Sequence, residues 1–138
     1  RDFALQLDAP LAIIEKRRIG NRDHVESLSV IGDVNGRQAI LFDDEINTGG
    51  SMIAASKVLS QLGVQEIYAV ATHGVLPGET LTMLDQIDGI KEFVITDTVP
   101  FLLKKSSDKF KVISIAPLFG EAIKRIHEGK SVGALFGR

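Results

Sequence analysis

Residues 39–51, AILFDDEINTGGS, set four apolar residues directly against two aspartates and a glutamate, then pass through paired glycines into a new segment. A short apolar run of this kind reads as a buried strand. After Ser51, the residues Ile53, Val58 and Leu62 recur near helical spacing, and Gly63 stands where a helix would stop. A strand that ends in acids and turns through Gly-Gly into a helix is a unit of α/β folds. Ligands of such folds gather beyond the C-terminal ends of the strands.

The rest of the chain repeats the alternation. Short β-branched runs at 11–15, 28–31, 38–42, 67–72, 93–96 and 112–115 read as strands. Residues 51–62, 78–87 and 118–127 read as helices, the last stopped by Gly129. The fold class is therefore α/β, a largely parallel sheet flanked by helices. The Asn35-Gly36 pair inside 32–36 reads as a tight turn, which predicts a hairpin over residues 28–43. Residues 16–23 and 98–108 read as polar loops. No repeat or linker divides the chain, so residues 1–138 are expected to form one domain. The chain opens on Arg1, and residues 1–7 resemble the end of a helix already begun. The expectation is a chain that starts inside a domain, with the first strand of its sheet missing.

Charge and cysteine content narrow the partners. A net charge of −2 and a pI near 5.9 argue against a surface built for nucleic acid or an anionic membrane. With no cysteine, neither a disulfide framework nor a thiolate metal site can form. No apolar run approaches the ~20 residues that cross a bilayer, and no secretory signal pattern opens the chain. A cytoplasmic location is expected.

The chemistry is concentrated at the acid-glycine junction. Gly49 and Gly50 allow close backbone approach to a phosphate, the helix start offers unpaired N–H groups, and Thr48 and Ser51 add hydroxyl donors. Asp43 and Asp44, acceptors when ionised, suit the vicinal hydroxyls of a sugar attached to that phosphate. The competing reading is an ordinary turn in which Thr48 or Ser51 caps the helix. The spacing has neither the lysine of a P-loop nor the glycine pattern of a dinucleotide fold. Elsewhere, Lys16-Arg17-Arg18 reads by itself as a solvated basic loop. His73 and Asp97 each follow a strand and can reach the same edge or serve structure. His24 and His127 have no metal-ligand spacing.

Residues 43–51 resemble the phosphoribosyl-binding motif shared by type I phosphoribosyltransferases and ribose-phosphate pyrophosphokinases. The segments 10–18, 31–37, 71–76, 96–98, 115–118, 121–123 and 131–136 resemble, in order, the C-terminal domain of the pyrophosphokinases, so the resemblance covers essentially the whole chain. It implies a type I phosphoribosyltransferase-like domain. The implied activity is transfer of pyrophosphate from ATP to the C1 hydroxyl of ribose 5-phosphate, giving phosphoribosyl pyrophosphate and AMP for nucleotide biosynthesis. Asp43, Asp44, Asn47, Thr48, Gly49, Gly50 and Ser51 then hold the substrate. Lys16 and Arg18 become catalytic residues of a loop that closes over ATP, two apart on one face of an extended segment with Arg17 on the other. The family also implies Mg²⁺, with its ligands mostly outside this chain, and a homo-oligomer, a hexamer built from dimers.

Three departures accompany the resemblance. Asn47 stands where the family usually carries Asp, and 19–24 lacks the family's proline-rich form. The signature for Mg²⁺ and ATP is expected upstream of Arg1, so the N-terminal half is expected to be absent and the isolated fragment inactive. Two alternatives remain open at this point. One is a phosphoribosyltransferase, which needs a base-binding hood not found here; the other is a non-catalytic regulatory subunit of pyrophosphokinases.

Overall fold

The computed structural model describes residues 1–19, 25–100 and 107–136. A short helix α1 (Asp2–Gln6) precedes an antiparallel ribbon of β1 (Ile13–Ile19) and β2 (Val25–Ile31). The main sheet follows as β3 (Gln38–Ile46), α2 (Gly50–Gln61), β4 (Glu66–Gly74), α3 (Thr80–Asp85), β5 (Glu92–Thr96) and β6 (Phe110–Ile113). Helix α4 (Ala116–His127) and a 3₁₀ turn (Gly133–Phe136) complete the described chain.

All pairings in the main sheet are parallel, and the strands lie in the order β3-β4-β5-β6. The β-branched and apolar runs form these strands because parallel strands must be buried on at least one face. On β4, Ile67, Ala69 and Ala71 are buried while Tyr68 and Val70 between them are half-buried. The core lies on that one face, where Met52, Ala55 and Leu59 of α2 and Leu84 of α3 meet Leu41, Ile67, Phe93 and Ile95. Phe93 and Phe110 stack with ring centroids 4.7 Å apart, joining β5 to β6.

The opposite face is open. Ile40 and Phe42 on β3 are more than half exposed, and so is Ile113 on β6. Phe3 of α1 stacks on Phe42 at 4.9 Å and covers part of it. Helix α4 has no buried residue although it carries Leu118, Phe119, Ile123 and Ile126.

Two sequence expectations are corrected. The hairpin does not span 28–43: β2 pairs with β1, and β3 pairs in parallel with β4. The Asn35-Gly36 turn forms, with Gly36 at φ 69°, but the Gly36 N–H donates to Gly63 O at 2.9 Å and so ties the turn to the end of α2. Burial decides the outcome, because Leu41 must reach the core beside Ala69, whereas Ile14 and Val30 form a ribbon pair that packs on the core from outside. Residues 16–19 are likewise strand rather than loop, since β2 supplies their hydrogen-bond ladder. Of the expected loops, residues 20–23 and 101–106 lie outside the described residues.

Candidate functional site

Strand β3 runs four residues beyond its apolar run, so the acids are themselves part of the ladder: Asp43 pairs with Ala71 and Glu45 with His73. The Asp44 N–H donates to Asp43 Oδ1 at 2.9 Å, and the Glu45 N–H donates to Asp44 Oδ1 at 3.0 Å. Burial at the strand end, reinforced by the neighbouring Asp44 and Glu45, raises the Asp43 carboxyl above the usual aspartate range. Three acids thus meet at one strand end, with Asp44 and Glu45 exposed.

The chain then turns through Asn47 and Thr48, both exposed, to Gly49. Gly49 is the N-cap of α2 and has φ 76°, a left-handed conformation that favours glycine. The first helical bond is from the Ile53 N–H to Gly49 O at 3.0 Å. The N–H groups of Gly50, Ser51 and Met52 precede it and have no helical acceptor. No side chain caps this helix, so neither Thr48 nor Ser51 plays the capping role of the competing reading. An open helix start of this type presents N–H donors and the positive end of the dipole to an anion.

The structure therefore brings together Asp43, Asp44, Asn47, Thr48, Gly49, Gly50 and Ser51 at the C-terminal edge of β3. Lys16 and Arg18 lie elsewhere in the chain trace, both within β1, with backbone partners Leu28 and Glu26. Lys16 is exposed. His24 is outside the described residues.

Asp97 resolves as an anchor. The Ile115 N–H donates to its Oδ1 at 2.8 Å, and this bond, with the Ser114 hydroxyl, lowers its pKa. It ties the start of α4 to the end of β5. Sequence reasoning missed the hydroxyl cluster around His73, where Thr96 and Thr98 converge on the Thr72 carbonyl. The signal available was the Thr-x-Thr spacing at 96–98, which at a strand end puts both hydroxyls near the neighbouring strand.

Among the described residues, no group of three or more His, Cys, Asp or Glu is arranged to hold a metal ion. The described residues thus form no all-protein cage for Mg²⁺, an ion commonly held by one or two carboxylates together with water and substrate phosphates. No helix of the described residues is long and apolar enough to cross a membrane.

Residues 15–137 match the phosphoribosyl synthetase-associated domain family. The ribose-phosphate pyrophosphokinase of Caldanaerobacter subterraneus subsp. tengcongensis is 54% identical over 99% of this chain and 42% of its own length. The ribose-phosphate pyrophosphokinase of Clostridium acetobutylicum is 46% identical over 99% of this chain and 42% of its own length. Among solved structures, phosphoribosylpyrophosphate synthetase from Mycobacterium smegmatis superposes with a TM-score of 0.81 at 36% identity, covering 93% of this chain and 40% of that one. The chain thus spans about two fifths of the length of these relatives. The family model spans most of the chain, and the sheet superposes on a synthetase of this kind, so the chain belongs to the phosphoribosyl synthetase-associated domain family.

Proposed function

We propose that this chain is the sugar-phosphate-binding part of a ribose-phosphate diphosphokinase. In the whole protein, pyrophosphate passes from ATP to the C1 hydroxyl of ribose 5-phosphate, giving phosphoribosyl pyrophosphate and AMP. The observation that carries this reading is the convergence at the end of β3. The hydroxyl acceptors Asp43 and Asp44 lie one turn from a helix whose first N–H groups have no cap. Acceptors suit a sugar diol, and a bare helix start suits its phosphate.

On this reading residues 1–138 form the C-terminal, phosphoribosyltransferase-like domain, and the rest of the protein supplies the ATP site and most Mg²⁺ ligands. The open apolar face of the sheet and α4 supports it. Exposed apolar side chains on that face and on α4 suit burial against another part of the protein. Lys16 and Arg18 serve as charge donors to the phosphoryl oxygens during transfer. The working protein is a cytoplasmic homo-oligomer.

The test is a titration of ribose 5-phosphate followed through backbone amide shifts. Residues 48–51 should move first and furthest. Shifts confined to other segments would rule out the cradle.

A further inference from the structure

His73 sits at the end of β4, and its role is not set by the cradle itself. In the ladder it is the partner of Glu45, so the two Cα atoms lie about 4.8 Å apart, the spacing of neighbouring strands. Its half-buried ring meets the protein through one nitrogen: Nδ1 is 2.8 Å from Thr98 Oγ1. Nε2 makes no hydrogen bond among the described residues.

The surrounding hydroxyls decide which nitrogen carries the proton. Thr96 Oγ1 donates to Thr72 O at 2.6 Å, Thr98 Oγ1 lies 3.0 Å from the same carbonyl, and the two hydroxyl oxygens are 3.0 Å apart. If Thr98 gave its proton to Nδ1, its oxygen would face the Thr72 carbonyl with no proton between them. If Nδ1 is protonated, it donates to Thr98, Thr98 donates to Thr72 O, and both contacts are satisfied. This assignment leaves a lone pair on Nε2.

The backbone holds His73 against the end of β3. The Val75 and Leu76 N–H groups both donate to Ile46 O, at 3.0 and 3.3 Å, so the chain after His73 folds back onto the end of β3. Gly74 makes this turn possible, because a Cβ there would lie 2.5 Å from Ile95 Cδ1. Leu76 takes φ 42°, a left-handed conformation that leucine rarely adopts, and strain of this kind gathers at functional sites.

We propose that His73 is a further binding residue of the same site, its Nε2 accepting a hydrogen bond from a hydroxyl of the bound sugar phosphate. The inference rests on the sugar-phosphate reading and adds a hydroxyl acceptor from the neighbouring strand. Thr98 acts through His73, as the group that fixes its tautomer.

Two ligands separate this role from the cradle's. Inorganic phosphate tests the helix start alone; ribose 5-phosphate tests the helix start and the hydroxyl contacts together. In His73→Asn the amide keeps the Thr98 contact but loses the reach of Nε2, and in His73→Gln that reach is restored. By calorimetry, His73→Asn should bind ribose 5-phosphate about tenfold more weakly, as loss of one hydrogen bond implies. Its phosphate affinity should not change, and His73→Gln should recover part of the loss. In ¹⁵N-histidine spectra, His73 Nε2 should resonate as an unprotonated nitrogen and shift with ribose 5-phosphate but not with phosphate. The proposal is overturned if His73→Asn leaves the sugar affinity intact, weakens both ligands equally, or if Nδ1 is the bare nitrogen. Failure of the unaltered chain to bind phosphate would remove the cradle, and this proposal with it.

Discussion

Gly49 and Leu84 meet so closely that a Cβ at position 49 would lie 2.6 Å from Leu84 Cδ2. The glycine therefore shapes the cradle in two ways, through its positive φ and through the fit of α3 beneath the turn. Leu84 is fully buried, so it cannot swing away into solvent.

Gly49→Ala should lower stability by about 1–3 kcal/mol, since it combines an unsuitable backbone conformation with overpacking. Urea unfolding measures this. An unchanged midpoint would mean that the turn relaxes without strain.

Asp43→Asn should stabilise the fold at neutral pH while weakening ribose 5-phosphate binding by about tenfold or more, as loss of a charge-assisted hydrogen bond implies. The sign follows from the raised carboxyl pKa. The folded state holds the proton more tightly than the unfolded one, so the penalty is absent at acid pH and appears as pH rises through the folded-state value. The melting-temperature gain of Asp43→Asn should therefore vanish in acid. A gain that persists unchanged at low pH would contradict the assignment.

In the full-length protein, Lys16→Ala and Arg18→Ala should each lower kcat by about 10²–10³, the scale of losing one preorganised charge donor. Sugar binding should change little, and Arg17→Ala should do less. Equal kcat losses at all three positions would remove the distinction among them.

Ile123→Glu in α4 should leave the stability of this chain within about 0.5 kcal/mol, because the side chain is exposed and buries nothing here. In the full-length protein the same change should cost stability, as burial of a charge against an apolar partner does. Equal effects in both would show that α4 remains uncovered in the longer protein.

The β3-α2 unit was legible because its signals are local: an apolar run, acids, Gly49 and a helix stopped near Gly63. The ends of β4 and β5 were placed within about two residues for the same reason. Pairing was less legible. The Asn35-Gly36 turn forms as expected, yet β3 chooses β4, twenty-eight residues on in the ladder's register from Gln38 to Glu66, over the strand beside it. The basic residues 16–18 looked like loop because charge hides a strand that only an antiparallel partner reveals. The Thr72, Thr96 and Thr98 cluster requires knowing that two strand ends lie side by side, which no single segment states.

The order β3-β4-β5-β6 leaves β3 at the margin of its sheet, paired on one side only among the described residues. The strand that carries Asp43, Asp44 and Glu45 is thus also the strand that the next β-segment would join. Twist passes between neighbouring strands through their hydrogen bonds, so a segment docking there would set the pitch of the acids as it added its ladder. Assembly and substrate alignment would then share one mechanical part, and a change in quaternary contacts could retune the site without touching a binding residue.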